Sequence, residues 1–248
     1  MSFIVAIPAR YSSQRLPGKP LIPVAGKPII QHVHERAVEA KPDQIIIATD
    51  DARIEACARG FGANVRMTSA AHASGTDRIA ELAGHEGWPD DGIVVNLQGD
   101  EPLMPPVAIS QVAETLAARE DADIATLSAP IYAAAELRDP NVVKVVCDAS
   151  GLALYFSRSV IPYPGRESVA PVSGLHYRHI GIYAYRVGYL KSFSRFAPPP
   201  LEQTERLEQL RALWHGGRIV VTPAGLAPPP GVDTNADLER VARLLSPQ

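Results

Sequence analysis

The residues best suited to chemistry begin almost at once. Ile7-Pro-Ala-Arg-Tyr-Ser-Ser-Gln-Arg-Leu-Pro-Gly-Lys-Pro-Leu21 follows the apolar run Phe3-Ile4-Val5-Ala6 and carries Arg10, Arg15 and Lys19. Guanidinium groups meet phosphate oxygens with paired, planar donors and a lysine adds a mobile point charge, so the loop suits a nucleoside triphosphate with its roughly four negative charges. Ser12, Ser13 and Gly18 leave room for backbone N–H groups to approach the same oxygens. Neither Gly-x-x-x-x-Gly-Lys-Ser/Thr nor Gly-x-Gly-x-x-Gly occurs, so the loop is not one of the familiar phosphate cradles.

Two carboxylates complement these cations. Asp100 ends the run Val94-Val-Asn-Leu-Gln-Gly99, where a buried strand delivers it beside a glycine that permits close backbone approach to a ligand. Mg²⁺ takes oxygen ligands and commonly uses one or two carboxylates with substrate phosphates and waters, which Asp100 fits. Asp233, in Gly231-Val-Asp-Thr234, is the best second carboxylate, although an aspartate ahead of a helix also reads as a cap. Ser74-Gly-Thr-Asp-Arg78 reads first as a helix start, and the same amides can meet a bound nucleotide. No activated nucleophile is evident: Ser157, Cys57 and Cys147 have no base at motif spacing, and Gly-x-Ser-x-Gly is missing.

Positioning these groups requires a sheet. Apolar runs predict strands over 3–7, 44–48, 92–97, 124–127, 142–146, 179–185 and 218–221, with helices over 28–40, 51–61, 76–85, 106–118, 201–214 and 236–245. Alternation of strand and helix predicts a mainly parallel α/β sheet covered on both faces, with ligands at the carboxyl ends of its strands. Pro28 and Lys41-Pro42 bracket the first helix, Asp51 caps the second, and Gly60 and Gly62 close it. From about 139 to 190 the apolar runs lack long intervening helices, which predicts a β-rich insertion, a lid or a dimer surface, within one domain spanning 1–248.

Composition agrees. The 248 residues are 46% hydrophobic, enough for one large α/β domain. A net charge of −3 argues against nucleic-acid partners or bulk membrane affinity, so the N-terminal cations are local tools. Two distant cysteines suggest neither a disulfide scaffold nor a zinc site, and the absence of a leader or a long apolar stretch predicts a cytoplasmic protein without membrane insertion.

The ordered motifs also resemble a known family. Ile7-Pro-Ala-Arg10, Arg15-Leu-Pro-Gly-Lys-Pro-Leu21, Ile45-Ile-Ile-Ala-Thr-Asp50, Ser74-Gly-Thr-Asp-Arg78, Val95-Asn-Leu-Gln-Gly-Asp-Glu-Pro102, Arg178-His-Ile-Gly-Ile-Tyr-Ala-Tyr-Arg186, Leu207-Glu-Gln-Leu-Arg211 and Gly231-Val-Asp-Thr234 are similar to those of the CMP-Kdo synthetases (3-deoxy-manno-octulosonate cytidylyltransferases), over nearly the whole chain. The resemblance implies a Rossmann-like three-layer nucleotidyltransferase fold, a homodimer, and transfer from CTP to 3-deoxy-D-manno-octulosonate (Kdo) for lipopolysaccharide biosynthesis. It assigns Ala9, Arg10, Arg15, Lys19, Ser74, Gly75 and Arg78 to CTP, and Asp100 and Asp233 to Mg²⁺. Lys19, Asp100 and Asp233 become the catalytic set. Gln98, Arg158, His179, Tyr185, Glu208 and Gln209 are assigned to the sugar acid, with Arg158 and His179 as candidates for its carboxylate. The nearest alternatives are a cytidylyltransferase for another acid, of the acylneuraminate or 8-amino-Kdo type, and a noncatalytic nucleotide-binding regulator.

Overall fold

A computed structural model of the chain describes residues 1–12, 16–72, 74–165, 170–229 and 231–245. Its elements are β1 (Ile4–Ala9), β2 (Pro23–Val24), β3 (Lys27–Pro28), α1 (Ile29–Glu39), β4 (Gln44–Thr49), α2 (Ala52–Gly60), β5 (Val65–Met67), α3 (Gly75–His85), β6 (Ile93–Asn96), α4 (Pro106–Ala117), β7 (Ile124–Pro130), α5 (Ala134–Arg138), β8 (Lys144–Cys147), β9 (Ala153–Ser157), β10 (Tyr177–Arg186), α6 (Val187–Phe193), α7 (Pro200–Glu205), α8 (Gln209–Trp214), β11 (Ile219–Pro223) and α9 (Asn235–Leu245).

Hydrogen bonding orders the main sheet β11-β7-β10-β6-β1-β4-β5, with β8 beside β10 and β9 beside β8. β1 runs parallel to both β4 and β6, while β10 is antiparallel to β6 and to β7. The chain moves outward from β1 through β4 to β5, then returns to place β6 on the other side of β1. Strand order therefore reverses between β1 and β6, and in open α/β sheets that reversal opens a crevice at the carboxyl ends. Among the described residues expected to touch CTP phosphates, Arg10 and Lys19 lie at this crevice.

Successive side chains of a strand point to opposite faces, so each strand feeds two cores. Val5 and Ile7 pack in a layer with Ile30 and Val33 of α1 and with Ile109 and Val112 of α4. Ala6 packs in the opposite layer with Ile79 and Leu82 of α3 and with Leu190 and Phe193 of α6. The result is the expected three-layer α/β fold with a mainly parallel sheet.

Local signals act as the sequence suggests. Asp51 accepts a hydrogen bond from the Arg53 N–H and starts α2, and Ser74 accepts from the Asp77 N–H and starts α3. Two features differ from expectation. The helix predicted over 201–214 is broken into α7 and α8, because Arg206 takes a left-handed conformation (φ 54°) between them. In the β-rich stretch, β8 and β9 form an antiparallel hairpin that extends the main sheet through β10, and β10 itself threads between β6 and β7.

Candidate active site

A cavity of about 320 Å³ opens over the ends of β1 and β6. Its walls bring together Ala9, Arg10, Lys19, Ser74, Gly75, Arg78, Gln98, Asp100 and Asp233, with Pro8, Pro20, His72 and Gly99 beside them. Arg15 lies outside the described residues. The two strand exits approach unusually closely. A Cβ on Gly99 would sit 2.8 Å from the Pro8 carbonyl oxygen, so this glycine serves the contact between β1 and β6 exits, where sequence reasoning reserved it for a ligand.

Lys19 is the centre of the arrangement. Gly18, in a left-handed conformation (φ 69°), turns the basic loop, and its N–H donates to the Tyr11 carbonyl at 2.9 Å. The Lys19 ammonium then donates to Asp100 Oδ2 (2.8 Å), Asp233 Oδ1 (3.1 Å) and the Val232 carbonyl (2.7 Å). These use all three of its N–H donors. Burial works against its charge, but the Asp100 and Asp233 carboxylates outweigh that penalty and raise its pKa above the ordinary lysine value. The two acidic loops are also tied by backbone alone, since the Val232 N–H donates to the Asp100 carbonyl at 2.9 Å.

Asp233 is available for this role because its neighbour does the capping. Thr234 Oγ1 accepts from the Asp237 N–H, and Asp237 Oδ2 accepts in return from the Thr234 N–H and hydroxyl, a reciprocal box at the start of α9. Behind the pair, Glu101 is pushed up to about 8 by burial and by the negative charge of Asp100 and Asp233, so that it holds its proton at neutral pH.

Among the described residues no group of three or more His, Cys, Asp or Glu side chains forms a metal cage. What is present is a pair of carboxylates converging on one cation, with 37% and 49% of their side-chain surface still exposed. That donor set fits Mg²⁺, whose remaining positions go to substrate phosphates and water.

The wall beside the acids comes from the first turn of α3 and the end of β6. Ser74 and Gly75 line the cavity, and Gly75 has the Pro8 ring against it, where a Cβ would come within 3.1 Å. Gln98 donates through its amide to Asn96 Oδ1 at 3.0 Å. Arg78 reaches the cavity edge, but its guanidinium is committed inward to Asp50 Oδ2 (2.8 Å) and Thr68 Oγ1. Arg10 is exposed on the rim.

The residues assigned to the sugar acid fall into distinct environments. Glu208 accepts from Thr76 Oγ1 at 2.8 Å, which places it against the first turn of α3, and Gln209 follows it, buried, at the start of α8. His179 and Tyr185 belong to a row of rings along β10, with His179 to Tyr183 at 5.2 Å and Tyr183 to Tyr185 at 5.9 Å between centroids. Burial lowers the His179 pKa to about 3, so the ring is neutral and can meet the sugar acid only as a hydrogen-bonding group, and here it pairs with Thr126 Oγ1. Arg158 is a staple: Nε donates to the Glu205 carbonyl (2.8 Å) and Nη1 to the Pro140 carbonyl (2.9 Å), leaving it tied to the α7 end and away from the residues that line the cavity. Tyr183 lies between the other two rings.

Comparison with known proteins agrees with this geometry. The cytidylyltransferase family model matches residues 4–219. A 3-deoxy-manno-octulosonate cytidylyltransferase of Thioalkalivibrio sulfidiphilus is 58% identical over 99% of this chain and 99% of its own length. That of Nitrosococcus oceani is 53% identical over 100% of this chain and 98% of its own. Among solved structures, a CMP:2-keto-3-deoxy-manno-octonic acid synthetase complexed with CTP superposes with a TM-score of 0.90 at 43% identity, covering 99% of this chain and 98% of that one. Sheet order, crevice, motif order and these relatives agree: the chain belongs to the cytidylyltransferase family and, within it, to the 3-deoxy-manno-octulosonate cytidylyltransferases.

Proposed function

We infer that the protein activates Kdo with CTP, giving CMP-Kdo and pyrophosphate. The observation that carries this reading is the convergence of Asp100, Asp233 and Lys19 at one point of a cavity at the sheet's reversal. In the transfer, the anomeric hydroxyl of the sugar acid forms a bond to the α-phosphorus and gives up its proton, while the bond to the β-phosphate breaks and pyrophosphate departs. Little covalent chemistry falls to the protein, so its work is positioning and electrostatic stabilisation.

Each group has a part in that work. Arg10 and Lys19 neutralise the departing pyrophosphate, Lys19 exchanging carboxylate partners for phosphate oxygens. Ser74, Gly75 and Gln98 form the wall against which the nucleotide lies. Arg78 acts from behind, keeping the β4 end and the α3 start in register through Asp50 and Thr68. Asp100 and Asp233 would hold Mg²⁺, which when bound polarises the α-phosphoryl group and lowers the pKa of a nearby hydroxyl. Glu208, Gln209, His179 and the tyrosine row face the polyhydroxylated acceptor with neutral and anionic hydrogen-bonding groups, and Arg158 fixes the end of α7 just ahead of Glu208 and Gln209.

The relatives favour Kdo over other sugar acids, and retention of both metal-binding carboxylates disfavours a noncatalytic regulator. Pyrophosphate release measured with CTP, Mg²⁺ and a panel of Kdo, 8-amino-Kdo and N-acetylneuraminate should show Kdo as the preferred acceptor. Preference for another acid would reassign the substrate, and CTP binding without product from any acid would support the regulator.

A homodimer in the cytoplasm completes the proposal. Leu175 (55% exposed) lines a cavity of about 420 Å³ near the β8 end, and the exposed Tyr163 (74%) follows its lining residue Pro162 in sequence, a surface suited to a second copy. Among the described residues both cysteines are free, in keeping with a reducing compartment, and no helix is long and apolar enough to cross a membrane. Sedimentation equilibrium should return twice the chain mass of 26.6 kDa; a single-chain mass at micromolar concentration would refute the dimer.

A further inference from the structure

Thr76 has no part in the transfer described above, yet its hydroxyl occupies a junction. It is the second residue of α3, next in sequence to the cavity-lining Ser74 and Gly75, and is only 2% exposed. Oγ1 donates to Glu208 Oε2 at 2.8 Å, and the same hydroxyl pulls against the burial that raises the pKa of the buried Tyr185 phenol. One small side chain thus links β10, the first turn of α3 and the start of α8.

Glu208 needs such support. It lies two residues past the left-handed Arg206, where the helical backbone has been interrupted, and burial pushes its pKa up against the opposing pull of Ser74, Thr76 and Arg211. Its second oxygen, Oε1, is buried without a hydrogen-bond partner, with Arg211 Nη2 3.9 Å away. A buried acceptor left unpaired is costly, and a polyhydroxylated ligand brings the donors that would satisfy it. With Oε2 tethered by Thr76, the Ser74 hydroxyl pulling on the same carboxylate and Oε1 facing only the distant Arg211, the carboxylate is oriented in advance.

We propose that Thr76 is a positioning residue that holds Glu208 ready for the sugar acid, and so couples the nucleotide wall to the acceptor half of the site. The proposal rests on the assignment of Glu208 to the acceptor. Tyr185, buried in the ring row, contributes by bracing Thr76.

The test compares Thr76→Val, which keeps the shape and removes the hydroxyl, with Thr76→Ser, which restores it. A hydrogen bond to a charged group is lost in the valine enzyme, so the KM for Kdo should rise about tenfold, while the KM for CTP stays within about twofold. Thr76→Ser should return the Kdo KM close to wild type, and Thr76→Val combined with Glu208→Gln should be no worse than Glu208→Gln alone. Thr76→Ala, smaller and compatible with a first helical turn, must give the same split if the valine enzyme folds poorly. Equal rises in both KM values, or failure of serine to rescue, would reduce Thr76 to a structural part of α3 and overturn the proposal. An unchanged Kdo KM in Glu208→Gln would overturn it together with the acceptor assignment, while cytidylyl transfer itself stands or falls on the wild-type assay.

Discussion

Asp100→Ala is expected to lower kcat about 10³-fold, equivalent to roughly 4 kcal/mol of transition-state stabilisation, at saturating CTP, Kdo and Mg²⁺. The expectation comes from position. Asp100 ends the loop leaving β6, at the strand-order reversal, and shares one cation with an acid more than a hundred residues away in sequence. Glu101, next to it, is not poised to replace it, because desolvation and the neighbouring acids push its pKa up to about 8 and keep it protonated at neutral pH. The fold should survive, because the loops meet through the Val232 N–H to Asp100 carbonyl bond and the Lys19 to Val232 carbonyl bond, neither of which uses the lost side chain. A near-wild-type melting temperature with collapsed turnover is the predicted pair of results. Turnover close to wild type would remove Asp100 from the mechanism.

How much of this site could be read from sequence depended on whether a signal was local. The basic loop and the aspartate after β6 each sit at the end of an apolar run and Asp233 sits just ahead of a helix, and a strand or helix boundary is a local event. The competing reading of Asp233 as a cap was local too, and the structure resolves it by giving the capping to Thr234. Other features had no local signal. The run over 179–185 reads as a strand in either direction, so nothing in it announced that β10 would lie antiparallel between β6 and β7. The helix predicted over 201–214 ran straight through Arg206, a residue type that gives no sign of a left-handed turn, which hid the break that sets the position of Glu208. The hydrogen bonds that hold Arg158 to the end of α7, the neutrality of His179 and the contact of Thr76 with Glu208 all follow from surroundings far away in sequence. Residue type predicted what those side chains can do, and packing decided which of those things they do.

Lys19→Met should slow the chemical step about 10²- to 10³-fold while changing the KM for CTP much less. Charge accumulates on the departing pyrophosphate only as the bond to the α-phosphorus breaks, so a fixed ammonium matters more in the transition state than in the bound triphosphate. Losses of equal size at every CTP concentration would match that expectation; full rescue by excess CTP would show that Lys19 binds ground and transition states alike. The substitution also leaves Asp100 and Asp233 facing each other without the cation between them, so some stability is lost, and its pH dependence identifies the cause. Lys19 is 7% exposed and its pKa is raised in the folded protein, so its contribution is complete below the ordinary lysine value of 10.5 and disappears only as pH climbs through the raised value. The melting-temperature gap between wild type and Lys19→Met should accordingly hold steady from pH 7 to about pH 10 and narrow above it. A gap that closed near neutrality would mean that the ammonium between the two acids is not what holds these loops together.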